Sequence, residues 1–474
     1  MMNLNDQYFT QAEPNLEGLP TELKIHILWQ IPVIEDLKSL VLASPGYHRA
    51  YFLVRYHLLE WHVNQQLGEE LDLAEALTAV RSKGIQFTTR RESAIALLDT
   101  WRRRDEIRGS SQSHQLPYRL DKPTHLEEII NLLHFQKVLR FFLEDYAANA
   151  PNRYDIPLTQ WKDQFLPLVL SSVERQRILR PLCRLQILKN IFGDPIHCFQ
   201  YPNCDSCSCT DHWRKREGTK KIRRSHEPRN HQDDEYAFRL FYGTMPPWEY
   251  EEMGCVYSYF REKVELLGKK IGRDLRQLSE STPCEFYSDI LPVGERPPPG
   301  STIHSDISFV LFPDQDAEGL AGLGPEFLYR LFHVDRLTRR NIVCRNTRKI
   351  WHGPFIGYKI RLSWEYRFPL IEPADRHDRP GFEQFWSSLP AIEQPTPEWK
   401  RTWLVEQGED IELEYAIYAD ETEETGWNWC YALWDEERLE EWKSRREKEI
   451  SRSTPGARRF IVSETGNITI EPPE

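Results

Sequence analysis

The sequence predicts a mainly α-helical protein, with a three-helix module at the N-terminus and a larger helix-rich domain with few strands behind it. Three observations carry this. Apolar residues recur every three or four positions in long stretches. Ser, Thr or Asp stands three residues ahead of Glu at several of their starts, the pattern of a capping box. No repeat period runs through the chain, which removes leucine-rich, WD40 and kelch arrays.

The first helix follows Leu19-Pro20, since proline is tolerated in the first helical turn. Leu23, Ile27, Leu28 and Ile31 then form one apolar stripe, and Pro32 ends it. Asp36 is placed to cap a second helix carrying Leu37, Leu40 and Val41. Ser44-Pro45 reads as the cap and first position of a third, running through Tyr47, Tyr51 and Leu58. Three helices in about forty residues bury only a small core. Their leftover apolar surface must meet the rest of the chain or a partner.

Further on, "DLAEALTAVRSKG" opens with an Asp72…Glu75 box and closes at Gly84. A second box, Thr124…Glu127, starts a long helix whose apolar face includes Ile130, Leu133 and Phe141. A third, Ser171…Glu174, starts one that ends near Gly193 and bends at Pro181. Linkers are expected at 102–123, 211–235, 296–300 and 369–399. The expected organisation is a flexible N-terminus (1–15), the three-helix module (16–62), a helical region (63–210), a charged linker (211–235) and a helix-rich C-terminal region (236–474).

The chain has 474 residues, 61 Lys and Arg against 73 Asp and Glu, and a net charge of −12. That balance argues against nucleic acid or an anionic membrane as partner of the whole chain. The first residues lack the basic start and apolar core of a signal peptide. No run approaches the roughly 18 apolar residues that span a bilayer. Nine cysteines without secretory features suggest reduced thiols in cytoplasm or nucleus.

"LPTELKIHILWQIPVIEDLKSLVLASPGYHRAY" (residues 19–51) resembles an F-box, in the variant found in F-box proteins of filamentous fungi. Leu19, Pro20, Glu22, Leu23, Ile27, Leu28, Ile31, Pro32, Asp36, Leu37, Leu40 and Ala43 fall on that family's pattern. Ser44 and the "GYHRAY" ending replace its usual Cys-x-x-Trp. Blocks at 170–193, 246–260 and 426–442 are similar to segments of the same fungal proteins. The resemblance implies a non-enzymatic substrate adaptor of an SCF-type cullin–RING ubiquitin ligase. Leu19, Pro20, Leu23, Ile27, Leu28, Ile31, Pro32, Leu37 and Leu40 would dock on the ligase's adaptor subunit. The rest of the chain would present an unknown protein substrate. No cofactor, metal or membrane is expected.

Four other features could carry function. Cys204-x-x-Cys207, with Cys198, Cys209, His197 and His212 nearby, is a zinc half-site that lacks a second half; it reads as reduced thiols in a polar loop. His304, Asp306 and His352 with Arg361 imitate the facial triad and cosubstrate arginine of iron(II)/2-oxoglutarate oxygenases. That rival needs many strands between 297 and 364, where the sequence offers few. The basic island 213–231 reads as a solvated linker or a nuclear localisation signal. Trp427, Trp429, Trp434 and Trp442 read first as core. Their density, and an exposed helix start at Asp435–Leu439, also mark this segment as a candidate substrate contact. A helical scaffold with no ligase role is the remaining alternative.

Overall fold

The computed structural model describes residues 16–102, 120–192, 245–281, 314–347, 379–406 and 426–453, except positions 69, 88, 153–155 and 392, together with Phe241 and two short strands. The described residues are mainly helical, as the sequence predicts. The strands, β1 (Phe460–Val462) and β2 (Ile468–Ile470), form a small antiparallel ladder that pairs Phe460 with Ile470.

The N-terminal module is a 3-10 turn (Leu16–Gly18) followed by α1 (Thr21–Trp29), α2 (Ile34–Ala43) and α3 (Pro45–Leu67). Ser44 caps α3 as expected: the Tyr47 N–H donates to its Oγ at 3.1 Å, and Pro45 occupies the first helical position. Asp36 is not the cap of α2. Extended Val33 holds that place just after Pro32, and Asp36 lies in the first turn, where its charge favours the helix N-terminus. The third helix also continues to Leu67, so the expected module boundary at 62 falls inside it.

Next come α4 (Leu73–Arg81), α5 (Arg91–Arg102), α6 (Leu126–Ala148), α7 (Leu158–Gln164), α8 (Ser172–Phe192) and α9 (Pro247–Ser281). Asp72 caps α4 by accepting from the Ala74 N–H at 3.0 Å. Its expected box partner Glu75 is turned inward to Arg184. In the second box the acid is Glu128, not Glu127: its carboxylate accepts from the Thr124 N–H at 2.7 Å and also pairs with Arg81. The apolar face of α6 is correspondingly rotated. Ile129, Leu132, Phe135, Leu139 and Phe142 are buried, whereas Ile130 is exposed. The third box forms in full, with the Ser171 N–H donating to Glu174 Oε2 at 3.0 Å and the Glu174 N–H to Ser171 Oγ at 3.1 Å.

The helix α8 is the axis of the molecule. It packs against α4, α6 and α9 and is buried on almost all sides, Pro181 included, without ending at that proline. A helix so placed should be apolar all round, yet this one carries Glu174, Arg177, Arg180 and Arg184 into the core. Arg184 reaches Glu75 at 2.9 Å and Glu249 at 2.6 Å; Arg180 reaches Glu249 and Glu252, both at 2.7 Å. Burial opposes the charge of both guanidinium groups, but the facing carboxylates overcome it and push both pKa values up.

The remaining elements are α10 (Asp314–Ala321), α11 (Pro325–His333), α12 (Arg336–Thr347), α13 (Arg379–Ser388), α14 (Pro397–Glu406), a 3-10 turn (Gly426–Trp429) and α15 (Glu436–Ser453). The expected linker at 369–399 is therefore helical over much of its described part. Pro380 and Pro397 sit in first helical turns, where a missing N–H costs nothing. Linker residues 103–119, 211–235 and 296–300 lie outside the described residues.

Candidate functional site

The N-terminal module holds both a buried and an exposed set of apolar side chains. Leu28, Leu37, Val41, Tyr47, Ala50 and Leu58 are buried and join α1, α2 and α3 to one another and to the core. Behind them α3 rests on α6, and the Tyr56 hydroxyl donates to the Pro123 carbonyl at 3.0 Å. Lys24 closes the near end. It is buried, and its Nζ donates to the Glu17 carbonyl at 2.7 Å. Gly46 permits this closure, since a Cβ there would stand 2.9 Å from Lys24 Nζ and Glu17 Oε2.

Exposed apolar side chains are concentrated in this module, among exposed charged residues such as Glu22, Glu35, Lys38 and Arg49. Eleven large hydrophobic residues are exposed among the described residues, and six of them fall between 16 and 53: Leu16, Leu23, Val33, Leu42, Phe52 and Leu53. Leu42 and Leu53 are each 71 % exposed. Pro20, Pro32 and Pro45 are exposed beside them. Phe52 is held edge-on by His48, with ring centroids 4.7 Å apart, and the Arg55 guanidinium lies over it at 4.9 Å.

Of the nine residues expected to dock, Pro20, Leu23 and Pro32 are exposed, and Leu19, Ile27, Ile31 and Leu40 are half-buried. Leu28 and Leu37 are withdrawn into the core, with 0 % and 2 % exposure. Those two hold the module together and have no surface to offer a partner. Sequence reasoning overlooked Leu16, Val33, Leu42, Phe52 and Leu53. Periodicity gave no signal for them, because it finds apolar residues without saying which of them pack inward.

The tryptophan-rich segment packs into the core, the first of its two readings. Trp434 and Trp442 are buried, while Trp427 and Trp429 pack half-buried against the core. The expected exposed helix start is a clasp onto α8. Asp435 accepts from Ser171 Oγ at 2.5 Å and from Arg177 at 2.8 Å; Arg438 grips Glu174 and donates to the Val169 carbonyl at 2.6 Å.

Cys198, Cys204, Cys207, Cys209, His197 and His212 lie outside the described residues, as do the basic island 213–231 and the oxygenase-like His304, Asp306, His352 and Arg361. The described residues between Asp306 and His352 form α10, α11 and α12, where an oxygenase barrel needs strands. Among the described residues no group of three or more His, Cys, Asp or Glu is placed to hold a metal ion, and no helix is long and apolar enough to cross a membrane. Comparison with protein-family models, with curated proteins and with solved structures finds no match to this chain.

Proposed function

We propose that this protein is an F-box-type substrate adaptor of an SCF-type cullin–RING ubiquitin ligase. It docks on the ligase's adaptor subunit through the outward face of residues 16–53 and presents an unidentified protein substrate with the remainder of the chain. The reading rests on the F-box-like sequence and on one structural observation, the concentration of Leu16, Leu23, Val33, Leu42, Phe52 and Leu53 on a module otherwise packed into the core. Covering each such side chain contributes about 1.5–3 kcal/mol in transfer terms, from which association costs subtract a large part. The docking set is accordingly Pro20, Leu23 and Pro32 with the overlooked leucines and Phe52, and the half-buried Leu19, Ile27, Ile31 and Leu40 border it.

Point substitutions on the exposed face are the test. Leu23→Asp and Leu53→Asp, made separately, place a carboxylate where docking would strip its hydration without giving it a partner. Both should leave the circular dichroism spectrum and thermal midpoint near wild type while abolishing co-purification of the adaptor subunit and cullin. If both folded variants retain those subunits at wild-type levels, the docking role fails. Deleting 1–68 is a poor substitute, because it strips α3 from α6 and uncovers core.

A further inference from the structure

The helix α12 carries four arginines and no acidic residue in its 12 positions, Arg336–Thr347, in a chain whose net charge is −12. Two of these guanidinium groups are accounted for. Arg336 is exposed and reaches Asp274 on α9 at 2.8 Å. Arg339 donates to carbonyls at the end of α11, that of Leu331 at 3.0 Å and those of Phe332 and Val334 at 2.8 Å. Arg340 has no such partner. It is 9 % exposed, its Nε is sealed from solvent without an acceptor, and it forms no ion pair or hydrogen bond with any described residue. The described acids nearest to it in sequence are engaged elsewhere. Asp335 accepts from the Leu337 and Thr338 N–H groups at 3.0 Å, and Glu326 lies 3.6 Å from Lys83.

A buried charge without a partner is costly, and arginine keeps its charge in any protein. Unlike Nε, the two Nη groups of Arg340 are not sealed, so an anion can reach them from solvent. We propose that Arg340 anchors a binding site for a phosphate group, free or carried by a small molecule, at the buried side of α12. The planar guanidinium presents parallel N–H donors that match two phosphate oxygens. Charge selects phosphate over carboxylate. Arg339 gives its donors to carbonyls, which are dipoles and cancel no net charge, so Arg339 and Arg340 leave two positive charges side by side in the chain. A phosphate monoester brings about −1.5 to −2 at pH 7, whereas a carboxylate brings a single charge. The site shares no residue with the docking face at 16–53 and stands whether or not that face binds a ligase.

The experiment uses the full chain, purified in chloride without phosphate. Inorganic phosphate and glycerol 3-phosphate are each titrated by calorimetry and by thermal unfolding, with sodium chloride matching ionic strength in the control. The expected result is saturable heat and a raised thermal midpoint. Tighter binding of glycerol 3-phosphate assigns the site to an ester, and tighter binding of inorganic phosphate assigns it to the free ion. Arg340→Met removes the unpaired charge, so without phosphate it should be at least as stable as wild type, and it should lose both the heat and the shift. Arg340→Lys should fold and bind more weakly, since an ammonium lacks the two parallel donors. Wild-type protein indifferent to both phosphates, or equal binding of sodium acetate, overturns the proposal. So does an Arg340→Met variant less stable than wild type without phosphate, because Arg340 then has a partner within the chain.

Discussion

Arg184→Met breaks the centre of the buried ion network. Arg184 is 2 % exposed, Glu75 1 % and Glu249 9 %. Glu249 keeps Arg180 at 2.7 Å, whereas Glu75 loses the guanidinium at 2.9 Å and has almost no access to water. Removing one member of a buried pair costs about 3–5 kcal/mol. That is a large part of the ~5–15 kcal/mol by which folded proteins are stable. The loss of the guanidinium stacked 5.5 Å from the Trp101 ring centre adds about 0.5–1 kcal/mol. Because burial is outweighed by the Glu249 and Glu75 carboxylates, the pKa of Arg184 is raised. Its contribution is then complete below the unfolded arginine pKa and constant across all pH at which the protein is handled. The assay is urea unfolding followed by tryptophan fluorescence, where a stability change moves the midpoint. The companion variant, Arg184→Met with Glu75→Leu, also removes the buried carboxylate that Arg184 faced and should recover a substantial part of the loss. The reasoning is refuted if the single variant loses less than about 1 kcal/mol, or if the double variant is less stable than the single.

Three further outcomes are expected. Ser171→Ala removes both the cap of α8 and the hydroxyl held by Asp435; it should cost about 1–2 kcal/mol, read by the same urea titration. His62 is fully buried with both ring nitrogens unpartnered, and burial lowers its pKa. The unfolded chain therefore takes up a proton that the folded one resists, so stability falls as pH drops from about 6.5 through the lower folded pKa; His62→Phe should flatten thermal midpoints measured across that range, and an unchanged slope would show that another group is responsible. Leu28→Ala, at a site with 0 % exposure, should cost about 2–5 kcal/mol, in contrast with the near-neutral stability expected of Leu23→Asp by calorimetry.

The helices and the caps that begin them were legible where local chemistry decides them. Ser44-Pro45 and Ser171…Glu174 act through hydrogen bonds spanning three residues, and both form as read. Local reading failed where a distant residue claimed the side chain. Glu75 matches a capping box but answers to Arg184, 109 residues away; Asp435 looks like a solvent-facing helix start but belongs to Ser171 and Arg177. In the N-terminal module, periodicity found the apolar residues but could not assign each to the inner or outer face. Leu28 and Leu37 went inward and Leu42 and Leu53 outward because α3 is shared with α6, a packing that no window of the module's own sequence contains.

The clasp on α8 also sets a timetable. Arg438 is made 264 residues after the Glu174 it grips, and at ~5–20 residues per second a ribosome needs on the order of 10–50 s to cover that distance. Through that interval the nascent helix cannot have its final neighbours. The faces waiting for the C-terminal segment carry Glu174 and Arg177, which water solvates well, but also Trp161 and Tyr146, on which Trp442 and Trp434 close. An apolar face left open for as long would attract other unfinished chains.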